Sequence, residues 1–219
     1  LITMPLFFCF IAAFRYWGYE MNLRLLVDEN AMELFKSFKF LWINNIWQPD
    51  NGLSPVLASG ASFLATPNLS NLLYLNEPGV GEKLVEMGLA VSKVYQGGVS
   101  YQILSDQNAI AIYDAAIQPF LDLYKGYNNG WFIMSILAGG TNFLSAWLMT
   151  KNNPPATGDA AKSTKWMNYL FPVMSFIFCL NYNAAFAIYW TLTSVIMIIV
   201  NIILNKKFPR IAPTKEDTK

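Results

Sequence analysis

The stretch from Trp166 to Leu204, WMNYLFPVMSFIFCLNYNAAFAIYWTLTSVIMIIVNIIL, runs for 39 residues without a charged side chain. A helix needs about 20 residues to cross a bilayer, so this length is that of two crossings joined by a tight turn. Backbone N–H and C=O groups in hydrocarbon have to pair within their own segment, which makes each half a helix. Asparagine suits chain reversal and tyrosine suits a lipid–water interface, so the turn is expected at Asn181-Tyr182-Asn183. The crossings are then 166–182 and 184–204.

The composition agrees. Hydrophobic residues make up 54% of the 219-residue chain and charged residues only 13%, against about a quarter in a soluble domain. There is no histidine, and the two cysteines, Cys9 and Cys179, both lie in apolar runs. No histidine-based triad, zinc site or Cys-His pair can be assembled, so neither metal nor cofactor is expected, and no disulfide. The membrane segments hold no acid–base pair and the chain has no G-x-S-x-G motif, so an enzyme is the least favoured class. A net charge of +1 gives no argument for DNA binding.

Two more apolar segments lie upstream. Leu1 to Phe14 carries no charge and is followed by Arg15, Tyr16, Trp17 and Tyr19, the aromatic and snorkelling pattern of a membrane boundary. Residues 1–19 are read as a transmembrane helix, and an N-terminal portion is expected to precede Leu1. The second segment, 131–150, opens on Trp131 and contains Gly139, Gly140, Thr141, Asn142 and Ser145. The glycines are expected to let helices approach closely. Thr141 and Ser145 share a face, with Asn142 beside it, and polar groups at this depth face protein or water. Helix–helix bonding and a polar lining both fit this trio.

Between these segments, residues 20–130 have the composition of an aqueous region. Met21 to Phe40 carries apolar residues at Leu23, Leu26, Met32, Leu34, Phe35 and Phe38, the pattern of an amphipathic helix on the membrane surface. Gln48 to Pro78 reads as loop. Gly81 to Tyr95 and Asp106 to Tyr124 read as helices, the second packing on the first through Ile110, Tyr113, Ile117, Phe120, Leu121 and Tyr124.

Charge sets the orientation. The loop 151–165 and the tail 205–219 together hold eight basic and three acidic residues, a net of +5, whereas Arg15 to Lys125 holds seven basic and eleven acidic residues, a net of −4. Basic residues near helix ends stay cytoplasmic. The loop and C-terminus are therefore expected inside and residues 20–130 outside.

Several motifs now stand in one order. Leu1-Ile2-Thr3-Met4-Pro5-Leu6-Phe7-Phe8 comes first, then Phe40-Leu41-Trp42-Ile43-Asn44-Asn45 with Pro49-Asp50. Ala138-Gly139-Gly140-Thr141-Asn142-Phe143-Leu144 follows, and Lys165-Trp166-Met167-Asn168-Tyr169-Leu170-Phe171-Pro172-Val173-Met174 with Ile188-Tyr189-Trp190-Thr191 closes the series. Together they resemble the YidC-type membrane protein insertases. The resemblance covers roughly residues 1–47 and 131–207, and about 53–129 looks like a helical domain inserted in an extracytoplasmic loop. The family's first core helix with its groove arginine, and its cytoplasmic hairpin, would precede Leu1; Arg15 is not that arginine. Asn45 stands in place of the usual Asp, and Asn183-Ala184-Ala185 stands where a Pro-x-Gly turn is common.

The resemblance implies an all-α, polytopic membrane bundle in a bacterial plasma membrane, with four transmembrane helices here out of a five-helix core. It further implies a hydrophilic groove that passes hydrophobic segments of nascent membrane proteins from the cytoplasm into the lipid bilayer. Groove candidates by position are Thr141, Asn142, Ser145, Tyr189 and Trp190, while Asn181 and Asn183 are expected to cap the hairpin turn. Lys206, Lys207 and Arg210 in the basic tail are candidates for contact with the ribosome or anionic lipid, and the Sec translocation channel is a further partner. The rival readings are a channel or transporter fragment and a membrane assembly factor acting through its outer domain.

Overall fold

The structure is a computed structural model that describes residues 3–125, 127–152 and 159–207. The chain divides into two compact units: residues 1–133 with 180–186, and residues 134–179 with 187–219.

In the first unit, helix α1 runs from Thr3 to Val27. It does not end at the membrane boundary expected near Tyr19. Glu20 and Arg24 form an i,i+4 ion pair at 2.8 Å, which supports the extra turns, and Leu23, Leu25 and Val27 are buried in the core of the outer region. The expected surface helix of Met21–Phe40 is thus split. Its first third completes α1, and α2 (Ala31–Ser37) begins after a turn in which the Asn30 N–H donates to Asp28 Oδ1 at 2.7 Å. Phe35 and Phe38 of this stretch enter the same core, so the apolar stripe packs against protein.

The stretch read as loop contains α3 (Gly60–Leu64), capped by the Ser59 hydroxyl, and two 3-10 turns at Leu69–Asn71 and Leu73–Asn76. Helix α4 (Val80–Glu86) is only the first part of the helix expected over Gly81–Tyr95. Gly88, at φ +80°, stops it, with the Leu89 N–H returning to the Leu84 carbonyl. The chain then forms β1 (Ala90–Tyr95) and β2 (Gly98–Ile103), an antiparallel hairpin with Ala90 opposite Ile103 and Tyr95 opposite Gly98. Val91, Val94, Tyr95, Val99 and Tyr101 supply the β-branched and aromatic content that favours strand. The chain is mostly helical, but this hairpin corrects the all-α expectation.

Helix α5 (Gln107–Leu123) is N-capped by Asp106, whose Oδ1 accepts the Ala109 N–H at 2.9 Å. It buries Tyr113, Ile117 and Phe120 as the periodicity predicts, yet its close neighbour is α3, not α4. Asp114 Oδ1 accepts the Gly60 N–H at 2.6 Å, and the Tyr113 ring stacks on Phe63 at 5.1 Å.

The 69–83 segment clasps the C-terminal half of α1. The Leu73 N–H donates to the Tyr16 hydroxyl at 2.8 Å, the Arg24 guanidinium lies 4.3 Å from the Tyr74 ring centre, and Lys83 Nζ donates to the Val27 carbonyl at 2.6 Å. That last bond satisfies a terminal carbonyl of α1 and places a cation at the negative end of its dipole. Burial opposes the Arg24 charge, but the bond to Glu20 and its carboxylate outweigh this and hold the guanidinium above its ordinary value. Burial pushes the Tyr74 phenol up against the opposing pull of Arg24.

The remaining helices are α6 (Ile133–Asn152), α7 (Asp159–Asn181) and α8 (Ala184–Lys207). α6 and α8 are long and apolar enough to cross a membrane, and α7 contributes a shorter apolar run at Tyr169–Asn181. α7 ends and α8 begins around the turn expected at 181–183.

Candidate functional site

The α7–α8 turn is held by hydrogen bonds, all within the first unit. Asn183 Oδ1 accepts the Phe186 N–H at 3.0 Å and so caps α8, as expected, while its Nδ2 donates to the Phe14 carbonyl of α1 at 2.7 Å. The Ala184 and Ala185 N–H groups donate to the Gln48 and Ile46 carbonyls at 2.9 and 2.8 Å, and Asn51 Nδ2 donates to the Leu180 carbonyl at 3.1 Å. Behind these lies a fully buried amide pair. Asn129 Nδ2 donates to the carbonyls of Asn45, Gln48 and Pro49, and its Oδ1 accepts the Asn45 N–H. Asn45 itself ties the segment down through the Val56 carbonyl and the Trp47 N–H. Asp50, also fully buried, accepts the Trp131 N–H at 2.5 Å and Trp42 Nε1 at 3.3 Å.

In the second unit the distribution of side chains is the reverse of a soluble bundle. Most buried positions are small or hydroxylic, among them Ser135, Ala138, Ser175, Cys179, Thr191 and Ser194, beside the larger Met134 and Ile198. Exposed positions are large and apolar, among them Phe143, Trp147, Leu192, Ile196 and Ile203. Small residues let helices approach, and large apolar ones facing outward suit hydrocarbon. At Gly139 a Cβ would lie 3.1 Å from the Phe176 Cβ of α7, so α6 and α7 meet there, whereas Gly140 faces open space and is not a packing position.

The expected site residues fall into two sets. Thr141, Asn142 and Ser145, all half-buried, lie on α6. The Thr141 hydroxyl donates to the Leu137 and Ala138 carbonyls at 2.7 and 3.3 Å, and Asn142 Nδ2 also donates to Ala138 at 2.8 Å. Such back-bonding satisfies polar groups within the helix. Tyr189 and Trp190 lie half-buried on α8, with the Trp190 ring 5.8 Å from that of Phe171 on α7. Lys206 and Lys207 are exposed in the last turn of α8, where cations suit the helix dipole. Arg210 lies outside the described residues.

Sequence reasoning missed the buried hydroxyls beside these sets. Ser175 and Ser194 donate to the carbonyls one turn back, Phe171 at 2.8 Å and Trp190 at 2.9 Å. The hydroxyls of Ser135 and Thr191 are buried with no hydrogen-bond partner among the described residues, which is costly in an apolar setting. On α8 their signal was a pair of hydroxyls spaced by three, Thr191 and Ser194, with Thr193 between them. Among the described residues no three His, Cys, Asp or Glu side chains converge as metal ligands.

An apolar outer surface over a small, polar interior defines a helical integral membrane protein. Comparison with known proteins narrows the class. The family model described as 60Kd inner membrane protein matches residues 1–211. Membrane protein insertase YidC 2 of Lactiplantibacillus plantarum is 30% identical over 89 residues, 41% of this chain and 31% of that protein. Membrane protein insertase YidC of Pediococcus pentosaceus is 32% identical over 89 residues, with the same shares. Membrane protein insertase MisCB of Bacillus subtilis is 29% identical over 144 residues, 57% of this chain and 52% of that protein. The chain thus spans about a third to a half of the length of these relatives, and no solved structure matches it. It belongs to the 60Kd inner membrane protein family, that of the YidC-type insertases. Its place is a bacterial membrane.

Proposed function

We propose that this chain acts in a membrane protein insertase, which passes hydrophobic segments of nascent proteins from the cytoplasm into the bilayer. The observation that carries the reading is that α6, α7 and α8 each bury hydroxyls, Ser135, Ser175, Thr191 and Ser194, while exposing large apolar residues. Bringing a charged group to the bilayer centre costs at least about 2.5 to 3.5 kcal/mol on insertion scales, and a polar, wet path through the helices lowers that cost. The client's own apolar segment then supplies the driving force as it enters lipid.

In this reading four helices cross the membrane, at about 1–19, 131–150, 166–182 and 184–204. Residues 20–130 lie outside, with 53–129 as an inserted domain, and 151–165 and 205–219 lie in the cytoplasm. Thr141, Asn142, Ser145, Tyr189 and Trp190 line the client path. Lys206, Lys207 and Arg210 meet the ribosome or anionic lipid, and the Sec channel is an additional partner. The protein does no covalent chemistry.

The test is photocrosslinking in the whole protein in liposomes, with a photoreactive amino acid at Ser145 or Trp190 and a single-span client under synthesis. Crosslinks at both positions, with insertion lost in Trp190→Ala, are the expected result. Insertion without contact at either position would return the α6 trio to helix–helix bonding and overturn the groove.

A further inference from the structure

Two exposed leucines of the first unit have no role in its core. Leu73 is 73% exposed, at the start of a 3-10 turn, and its own N–H is bonded to the Tyr16 hydroxyl of α1. Tyr16 and the exposed Trp17 mark the level at which α1 leaves hydrocarbon, so the bond fixes Leu73 near that level.

Leu41 is 66% exposed at the tip of a turn closed by two Phe40–Ile43 backbone hydrogen bonds, and its φ is +51°. A leucine pays steric strain in the left-handed region where glycine or asparagine would not, and a leucine facing water gains nothing in return. Five residues on, Ile46 accepts the Ala185 N–H from the α7–α8 turn, and Asn183 of the same turn reaches the Phe14 carbonyl. The segment that carries the Leu41 turn is therefore tied to α1 at Phe14, two residues from the Tyr16 that holds Leu73. On α1 itself, Phe8, Phe10 and Trp17 are exposed.

We infer that the outer unit stands directly on the bilayer its helices cross, with Leu41 and Leu73 seated among the headgroups and upper acyl chains of the outer leaflet. The occupant of this surface is lipid, because Leu73 is bonded to Tyr16 and the Leu41 turn is tied through Ile46 and the α7–α8 turn to Phe14, both where α1 leaves hydrocarbon. The inference rests on the topology proposed above, in which α1 leads out of the bilayer at Tyr16. The clasp on α1 gives it a mechanical consequence: a domain bound along α1 and seated at two points cannot swing freely on a stalk.

The test uses a Cys9→Ser background, in which the remaining Cys179 is buried. An environment-sensitive NBD fluorophore is attached to Leu41→Cys, Leu73→Cys or Glu29→Cys in liposomes. Glu29 is an exposed control beyond the far end of α1, roughly 18 Å above Tyr16 at 1.5 Å per residue. The expected result is quenching of positions 41 and 73 by lipids carrying doxyl near the headgroup, loss of iodide quenching there, and the reverse at 29. Iodide quenching at all three positions would overturn the seating. Shielding of 41 and 73 from both quenchers would also overturn it, by showing protein in place of lipid. A Glu29 label quenched by the doxyl lipids would overturn the topology as well, which separates the two failures.

Discussion

Asn129 shows how much a single buried amide can hold. Its NH2 group serves three carbonyls and its Oδ1 one N–H, all on residues 45–49, the segment on which the α7–α8 turn hangs. An amide has only two N–H donors, so one is shared among acceptors. Asn129→Ala leaves several buried backbone groups unpaired and is expected to cost about 3 kcal/mol. Asn129→Asp should be worse, because it turns a carboxylate oxygen toward three carbonyl oxygens. Guanidinium unfolding followed by tryptophan fluorescence measures both. Tyr113 is the opposite case. Its hydroxyl is buried without a partner among the described residues, and burial pushes the phenol up. Tyr113→Phe keeps the ring on Phe63 and is expected to be neutral or to gain about 1 kcal/mol in the same measurement. A clear loss of stability would mean that the hydroxyl has a partner.

Among the elements, the adjacent glycines of α6 separate packing from propensity. Gly139 faces Phe176 across a tight contact, 3.1 Å from a Cβ placed there, while Gly140 has nothing within 4 Å. Gly139→Leu is expected to cost about 1 to 3 kcal/mol through overpacking, and Gly140→Ala to be neutral or stabilising by up to about 1 kcal/mol. The midpoint of SDS-induced unfolding in mixed micelles reads both. From sequence the two looked alike, since only the neighbour's position distinguishes them. The uncharged runs of 131–150 and 166–204 are helix, but the last turns of α1 were hidden, because Arg15 to Tyr19 carries the residues of a membrane boundary. The hairpin was hidden too: Gly88 is a helix stop only at a positive φ, which no pattern in Gly81–Tyr95 announces. In the candidate site Thr141 and Asn142 could be picked out as polar, whereas a lone hydroxyl such as Ser175 carries no periodic signal. The hairpin packs on α4 with the Tyr101 ring against Gly81 and next to Glu82, which makes it sensitive to pH. Pairing with the Tyr101 hydroxyl holds the Glu82 carboxyl below its ordinary 4.5, and the same pairing raises the phenol above its ordinary 10.0. The stabilisation is thus complete between these values. It is lost as pH falls through the lowered carboxyl value and, on the other side, as pH rises through the raised phenol value. Tyr101→Phe should abolish both limbs of the pH dependence of amide exchange in β2, while Glu82→Gln abolishes the acid limb.

Over the whole molecule the question is what fixes orientation. Basic residues near helix ends resist export, and each is worth about 1 kcal/mol beside an anionic leaflet. Lys151, Lys162, Lys165, Lys206, Lys207 and Arg210 stand within a few residues of the segments read as crossings. Lys36, Lys39, Lys93 and Lys125 are exposed, but belong to a region where acidic residues outnumber basic ones by four. If distribution and not total charge sets the orientation, replacing the first group with glutamine removes roughly 6 kcal/mol of bias, and replacing the second group changes nothing. The readout is a fluorescent protein fused after Lys219, which folds only in the cytoplasm, paired with labelling of Glu29→Cys by an impermeant maleimide from outside. The expected result is a fall in both signals for the first set of substitutions and neither for the second. A fall in both sets would make total charge the determinant. No fall in either would assign orientation to the folded outer unit, whose clasp on α1 would then act as the anchor that keeps residues 20–130 on one side.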